Sequence, residues 1–193
     1  MPEPLISRRT PRLLLRPLVE GDRAQFVEVH ALSRREFDTW GPKRPAGQTD
    51  DQLFDLLLAR TENGLANGSD CRLAGFTHDG LLVGFFNLNN VIRGVFQNAF
   101  AGWSVRTDQT GRGYGAEGVA GLLDVAFLPP PLGLGLHRVQ ANVIPANAAS
   151  LRVAAKCGFR REGLALRYLE INGTWQDHVM LAKTVEEHGG RAR

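Results

Sequence analysis

An alternating stretch, QNAFAGWSV (97–105), precedes TGRGYGAEG (110–118), and the apolar run VAGLLDVAF (119–127) follows at once. The first pattern reads as a strand, the last as a helix, and the four glycines in nine residues as the turn between them. Such a turn leaves the first N–H groups of the helix without partners at the positive end of its dipole. The missing Cβ atoms let a ligand reach them. Phosphate oxygens fit that place. A turn that bound nothing would gain little from four glycines, because each loses more backbone entropy on folding than any other residue.

Several phosphate-binding turns share this outline. Gly113–Gly118 is a literal G-x-G-x-x-G, the dinucleotide fingerprint, which requires an acid about 20 residues further on to hold a ribose hydroxyl. Between Val119 and Arg161 the only acid is Asp124, inside the predicted helix. A Walker loop needs Gly-Lys-Ser/Thr, and a kinase loop needs H-R-D and D-F-G downstream; this chain has neither. What remains is a pyrophosphate held by backbone amides, with a longer cofactor body running elsewhere.

The rest of the chain reads as one α/β domain over 1–185 with a flexible tail at 186–193. RLLLR (12–16), stopped by Pro17, is a first strand. Glu20 and Asp22 start a helix with Phe26, Val29 and Leu32 on one side. A loop, TWGPKRPAGQ (39–48), separates it from a helix capped by Thr49 or Asp50, carrying Leu53, Leu56 and Leu57 and stopping at Asn63-Gly64. Strands at 72–77 and 81–88 flank His78-Asp79-Gly80. Three prolines at 129–131 halt the glycine-loop helix. A strand at 137–143 and a helix at 147–157, closed by Gly158, follow. The last hairpin, 164–171 and 175–181, turns at Asn172-Gly173. The order is β-α-α-β-β-β-α-β-α-β-β.

Composition excludes several classes. Two cysteines, Cys71 and Cys157, build neither a disulfide framework nor a zinc site, and no metal is expected. The net charge of +3 is too mild to argue for sequence-specific nucleic-acid binding. Without about 18 consecutive apolar residues or a signal-type start, a cytoplasmic chain that does not enter a membrane is expected.

The stretch GWSVRTDQTGRGYGAEGVAGLLDVAF resembles motif A of the GNAT superfamily of acyl-CoA-dependent N-acetyltransferases, R/Q-x-x-G-x-G/A. Thr110-Gly111-Arg112-Gly113-Tyr114-Gly115 fits it, with Thr110 where Arg or Gln is usual. NxxS at 147–150, KCGF at 156–159 and EG at 162–163 resemble the motif B region. RLLLRPL, the Trp40-Gly41-Pro42 loop, NVIRGVF (90–96) and YLEINGTWQDHVMLA are similar to the RimJ/RimL branch, its RimJ-type members above all. Those members acetylate N-terminal amines of ribosomal proteins. The likeness runs from about residue 12 to 184.

The resemblance implies a mixed, mostly antiparallel twisted sheet with a central splayed parallel strand pair, helices on both faces, and acetyl-CoA as acyl donor. The amides from Gly111 to Ala116, including those of Arg112, Gly113, Tyr114 and Gly115, would cradle the pyrophosphate beside Thr110. Trp103, Ser104 and Val105, with Asn142 opposite, would border the pantetheine arm. Asn147 is by position a helix N-cap, and by resemblance also touches that arm. Ser150 would protonate or stabilise the departing thiolate. Many relatives carry a Glu two residues before the glycine that here is Gly102; this chain has Phe100 there. Glu170 is the expected replacement base, acting through water, and strand alternation puts Tyr168 and Glu170 on one face. Asp177 and His178 are further candidates, Asp177 chiefly to orient the hairpin. Water alone is an alternative, because an α-amine has a pKa of about 8. Trp40, Phe100 and Asp177 would border the acceptor, and Cys157 belongs to the core. The implied acceptor is the N-terminal α-amine of a ribosomal protein, attacking directly in a ternary complex, with association with the ribosome and a monomer or homodimer. Two alternatives stay open: a small amine (drug, polyamine or amino-acid derivative), and a non-catalytic acyl-CoA binder on the ribosome. An open groove favours a polypeptide acceptor; a closed acidic pocket favours a polyamine.

Overall fold

The strand–turn–helix unit lies at the centre of a sheet in the computed structural model, which describes residues 6–189. Among these, eight strands follow one another across the sheet as β1 (Arg8–Arg9), β2 (Leu13–Arg16), β3 (Cys71–Thr77), β4 (Leu82–Ile92), β5 (Asn98–Val105), β6 (Arg138–Val143), β8 (Thr174–Thr184) and β7 (Arg160–Ile171). Only β5 and β6 run parallel; every other neighbouring pair is antiparallel. Five helices, α1 (Arg23–Trp40), α2 (Asp50–Asn67), α3 (Tyr114–Phe127), α4 (Ala148–Lys156) and α5 (Val185–Gly189), complete the described chain. The expected mixed sheet with a central parallel pair is present.

Strand alternation sorts the core into two layers. Leu13, Leu15, Leu73, Phe86, Ala99, Val139 and Leu181 pack with Val119, Leu122 and Val125 of α3. On the other face Phe26 and Val29 of α1 and Phe54 of α2 cover Ala74, Phe76 and Phe85 of β3 and β4. Each large side chain buried this way contributes about 1.5–3 kcal/mol. α3 lies close to the sheet because it carries glycines where the sheet is bulky. A Cβ on Gly118 would come within 2.1 Å of the Phe86 ring, and one on Gly121 within 2.8 Å of Leu15. Beyond the area that α1 and α2 cover, the same face continues with Phe100, Gln140, Asn142 and Met180.

The structure corrects several sequence expectations. α1 continues to Trp40, and Leu32 is 50% exposed; His30 and Ser33 are the buried positions instead. Ser33 turns inward because its Oγ accepts the Thr107 N–H. α2 does not stop at Asn63-Gly64 but continues to a left-handed Gly68. Gly64 serves a close approach, since a Cβ there would sit 2.8 Å from Asp70 Cβ. The start of α2 is as read, with Thr49 and Gln52 forming a capping box. The supposed tail is helical over 186–189: Glu187 accepts the Thr184 N–H, and His188 Nε2 lies 2.7 Å from Asp124 Oδ1. Residues 190–193 lie outside the described residues.

Candidate active site

The parallel pair separates along its length. β5 and β6 pair from Asn98↔Arg138 to Ala101↔Ala141, after which both strands continue without pairing to one another. Hydrogen-bond parity shows which groups face the gap. Arg106 N–H donates to Val83 O, so the facing pairs 104/85 and 102/87 exchange hydrogen bonds between β5 and β4. The N–H and C=O groups of Trp103 and Val105 therefore point to the opposite edge. Gln97 O, of the same parity, accepts from Arg138 N, which also directs the Asn142 backbone toward β5. The gap is walled by two backbone edges, with open groups on Trp103 and Val105 of β5 and on the C=O of Asn142 of β6, whose N–H still pairs with Ala101 O, as an extended arm requires. Ser104 departs from the expectation for it: its amide faces β4, and its side chain lines a cavity on the α1/α2 face.

Two helices leave the carboxyl ends of this parallel pair, where ligands bind in open sheets. α3 follows β5 and α4 follows β6, and the two touch, since a Cβ on Gly115 would meet Val153 at 3.2 Å. In the turn before α3, Thr110 Oγ1 donates to Thr107 O at 2.9 Å, and Gly111 and Gly113 adopt φ of +76° and +87°. The first bond of the helix runs from Glu117 N to Gly113 O. The six amides of residues 111–116 donate to no other described residue. Gly111 and Gly113 thus supply left-handed backbone, whereas Gly115 and Gly118 supply room for packing.

The turn is held from outside by residues the sequence reading missed. Arg12 reaches Glu117 through its backbone N and its side chain, and donates to Arg112 O. Burial alone would raise the Glu117 pKa, but hydrogen bonds from Thr10 and Arg12 outweigh it and hold the carboxyl below its ordinary range. Arg106, nearly fully buried, spans Glu28 of α1, Asp108 and Leu82 O. Six unpartnered amides at a helix N-terminus, with a second helix N-terminus nearby, suit a pyrophosphate.

Residues 12–160 match the acetyltransferase (GNAT) domain family. The chain belongs to that family. It is 41% identical over 171 residues to "Probable N-acetyltransferase YjcK" of Bacillus subtilis, spanning 88% of this chain and 92% of that protein. It is 29% identical over 185 residues to the "[Ribosomal protein uS5]-alanine N-acetyltransferase" of Escherichia coli, spanning 95% and 93%. Among solved structures, Mycobacterium smegmatis RimJ in complex with CoA-disulfide superposes with a TM-score of 0.82 at 30% identity, covering 91% of this chain and 83% of that one. The acyl donor of this GNAT acetyltransferase is acetyl-CoA.

The remaining expected residues of the acetyltransferase divide into two groups. Asn147 Oδ1 accepts the Ser150 N–H at 3.0 Å, so it is the N-cap of α4, and Ser150 is half-buried in the first turn of that helix. Cys157 is buried, its Sγ 3.3 Å from Ala116 O. In the hairpin, β7 carries a bulge between Ala165 and Leu169, with Arg167 at φ +48° and its N–H donated to Asp177 Oδ1. The bulge breaks the alternation assumed from sequence. Tyr168 packs edge-on against His178, ring centroids 5.8 Å apart, while Glu170 pairs with Trp175, out of phase with Gln176 and His178. Tyr168 and Glu170 therefore do not share a face, and Glu170 is exposed. Trp40 Nε1 is bonded to Glu36, and the adjacent Gly41 O accepts the Asn172 N–H, so the α1–α2 loop touches the hairpin tip.

A cavity of about 140 Å³ lies between α1, α2 and the sheet, beside β5. It is lined by His30, Thr61, Arg72, Phe85, Asn87 and Ser104, among others. His30 Nδ1 is 2.8 Å from Arg44 Nη2, and burial, with that guanidinium, pushes the imidazole down to about 4. One turn after Phe26 and next to Val29, a histidine here is legible as inward-facing, but its partners are not.

Proposed function

We propose that this acetyltransferase acetylates the N-terminal α-amine of a polypeptide, a ribosomal protein first of all, by direct attack within a ternary complex. The observation that carries the reading is the open β5/β6 edge ending at the amide cradle, with a polar face across β5 on the side of α1 and α2. Bound acetyl-CoA supplies the acetyl group as an activated thioester. The amides of residues 111–116 hold its pyrophosphate, and the edges of Trp103, Val105 and Asn142 align the arm. A backbone N–H of the β5 edge polarises the carbonyl, which places charge stabilisation where it develops. Ser150, in the first turn of α4, delivers a proton to the departing sulfur. Phe100, in place of a carboxylate, offers no base, and Glu170 is out of phase. An α-amine with a pKa of about 8 is already partly neutral near pH 7, so water suffices.

The names of relatives that act on ribosomal protein uS5 alanine support the choice of acceptor. The test incubates the protein and acetyl-CoA with synthetic ribosomal N-terminal peptides, free amino acids and spermidine, followed by intact-mass analysis. Acetyl groups on peptide α-amines are the expected result. Acetylation confined to spermidine, or to lysine side chains, sinks the assignment.

A further inference from the structure

The cavity under α1 contains two unpartnered donors that the transfer chemistry leaves unexplained, beside the neutral polar groups of Thr61, Asn87 and Ser104. Arg44 has no acceptor atoms, so His30 Nδ1 must accept from it, and the neutral ring then carries its proton on Nε2. His30 is 7% exposed, and that Nε2 is buried without a partner. The Nε of Arg72 is likewise buried and unpartnered, although its Nη2 donates to Asn89 Oδ1 at 2.7 Å. Both residues line the same cavity, and no Asp or Glu is among the residues that do. Two carboxylates near these residues are engaged elsewhere than at those two nitrogens: Asp50 with Arg34 and Arg44, and Asp70 with Ser69 and, at 3.9 Å, with the Nη2 of Arg72. Two buried donors without acceptors are unfavourable, and the favourable occupant is one that brings oxygen lone pairs. At about 140 Å³ the cavity has room for a group of about six heavy atoms.

We propose that this cavity is a subsite of the acceptor molecule that takes a carbonyl or carboxylate oxygen on the His30 imidazole and the Arg72 guanidinium. The inference rests on the reading of the α1/α2 face as the acceptor side, and it narrows the substrate class. An α-amine at a chain end or in an amino acid carries such an oxygen three bonds from the reacting nitrogen. A polyamine carries only donors and positive charge, and Arg72 repels it. Ser104 and Asn87 join the cavity to β5, whose other edge faces the acyl donor.

The test measures binding to the full chain saturated with CoA, by titration calorimetry, so it needs no turnover. The probes are N-acetyl-L-alaninamide, N-acetyl-L-alanine, N-isopropylacetamide, which lacks the second oxygen-bearing group, and N1-acetylspermidine. One of the two alanine compounds should bind on the order of 10- to 100-fold more tightly than N-isopropylacetamide, the range expected for a hydrogen bond to a charged donor. Preference for the amide points to a polypeptide, and preference for the carboxylate to a free amino acid. Arg72→Gln and His30→Phe should each bring the ratio to within about 3-fold, with CoA affinity and melting temperature as folding controls. Equal binding of all probes by the unmodified protein overturns the subsite, as does tighter binding of N1-acetylspermidine. An inactive protein that keeps the preference sinks the proposed transfer and leaves the subsite standing; an active one without it does the reverse.

Discussion

The division of labour among the loop glycines leads to opposite results for two similar substitutions, Gly111→Ala and Gly118→Ala. A methyl group at Gly111 meets nothing within 4 Å, so space is not the difficulty; its φ of +76° is. An alanine in the left-handed region costs about 1–2 kcal/mol. Where the free turn relaxes to avoid that conformation, the cost moves into ligand binding, and the Kd for CoA rises roughly 5- to 30-fold. At Gly118 the backbone is ordinary helix, but the added carbon lies 2.1 Å from Cζ of a fully buried Phe86. The overlap exceeds an ångström against a ring without free space, which places the overpacking cost near 3 kcal/mol. Helix propensity returns about 1 kcal/mol. The net loss of roughly 2 kcal/mol lowers Tm by about 4–8 °C in a chain of this size. Thermal melts and CoA titrations of the two variants side by side test both halves. A Gly118→Ala protein with unchanged Tm and weakened CoA binding would refute the division, as would a Gly111→Ala protein that binds CoA normally.

Three further outcomes follow from the site. Ser150→Ala should reduce kcat on the order of 100-fold with little change in CoA affinity, the pattern of a lost proton donor; an equal loss in CoA affinity would mean that the residue only shapes the cradle. His30 resists protonation in the fold, so stability is fully present above its ordinary value of 6.5 and falls as pH drops toward about 4. The loss amounts to about 3 kcal/mol at most, and urea melts of the protein and His30→Phe between pH 7 and 4 should differ in slope over that window. Asp177→Ala releases the Arg167 amide and with it the bulge that sets Tyr168 against His178. The acceptor KM should rise several-fold while CoA binding holds, and parallel loss of both would place Asp177 elsewhere in the mechanism.

The sheet and the glycine turn with its unpartnered amides were legible because local signals and tertiary context agree there. Alternation gave the strands, and Gly111 and Gly113 sit where backbone geometry alone demands glycine. The misreadings share one cause, a side chain or glycine answering to a distant partner. Gly64 looked like a helix stop but makes room for Asp70, and Leu32 lost its inward place to Ser33, which serves Thr107. Tyr168 and Glu170 were put on one face because a bulge has no signature in alternation until the Asp177 carboxylate that holds it is seen. His30 and Arg72 were invisible as a pair: they are 42 positions apart, and only the packing of α1 on β3 and β4 brings them to one cavity.

The hydrogen bond from Asn172 N–H to Gly41 O joins the loop after α1 to the tip of the β7–β8 hairpin. The hairpin tip extends past the last residue of β6, so the link spans the side where the two parallel strands part. The loop after α1 is thereby tied to the hairpin tip, where Lys43 also lies beside Gly173. On the function proposed above, an acceptor that approached the parting strands from that side would meet this link, and its cross-section would then matter as well as its amine.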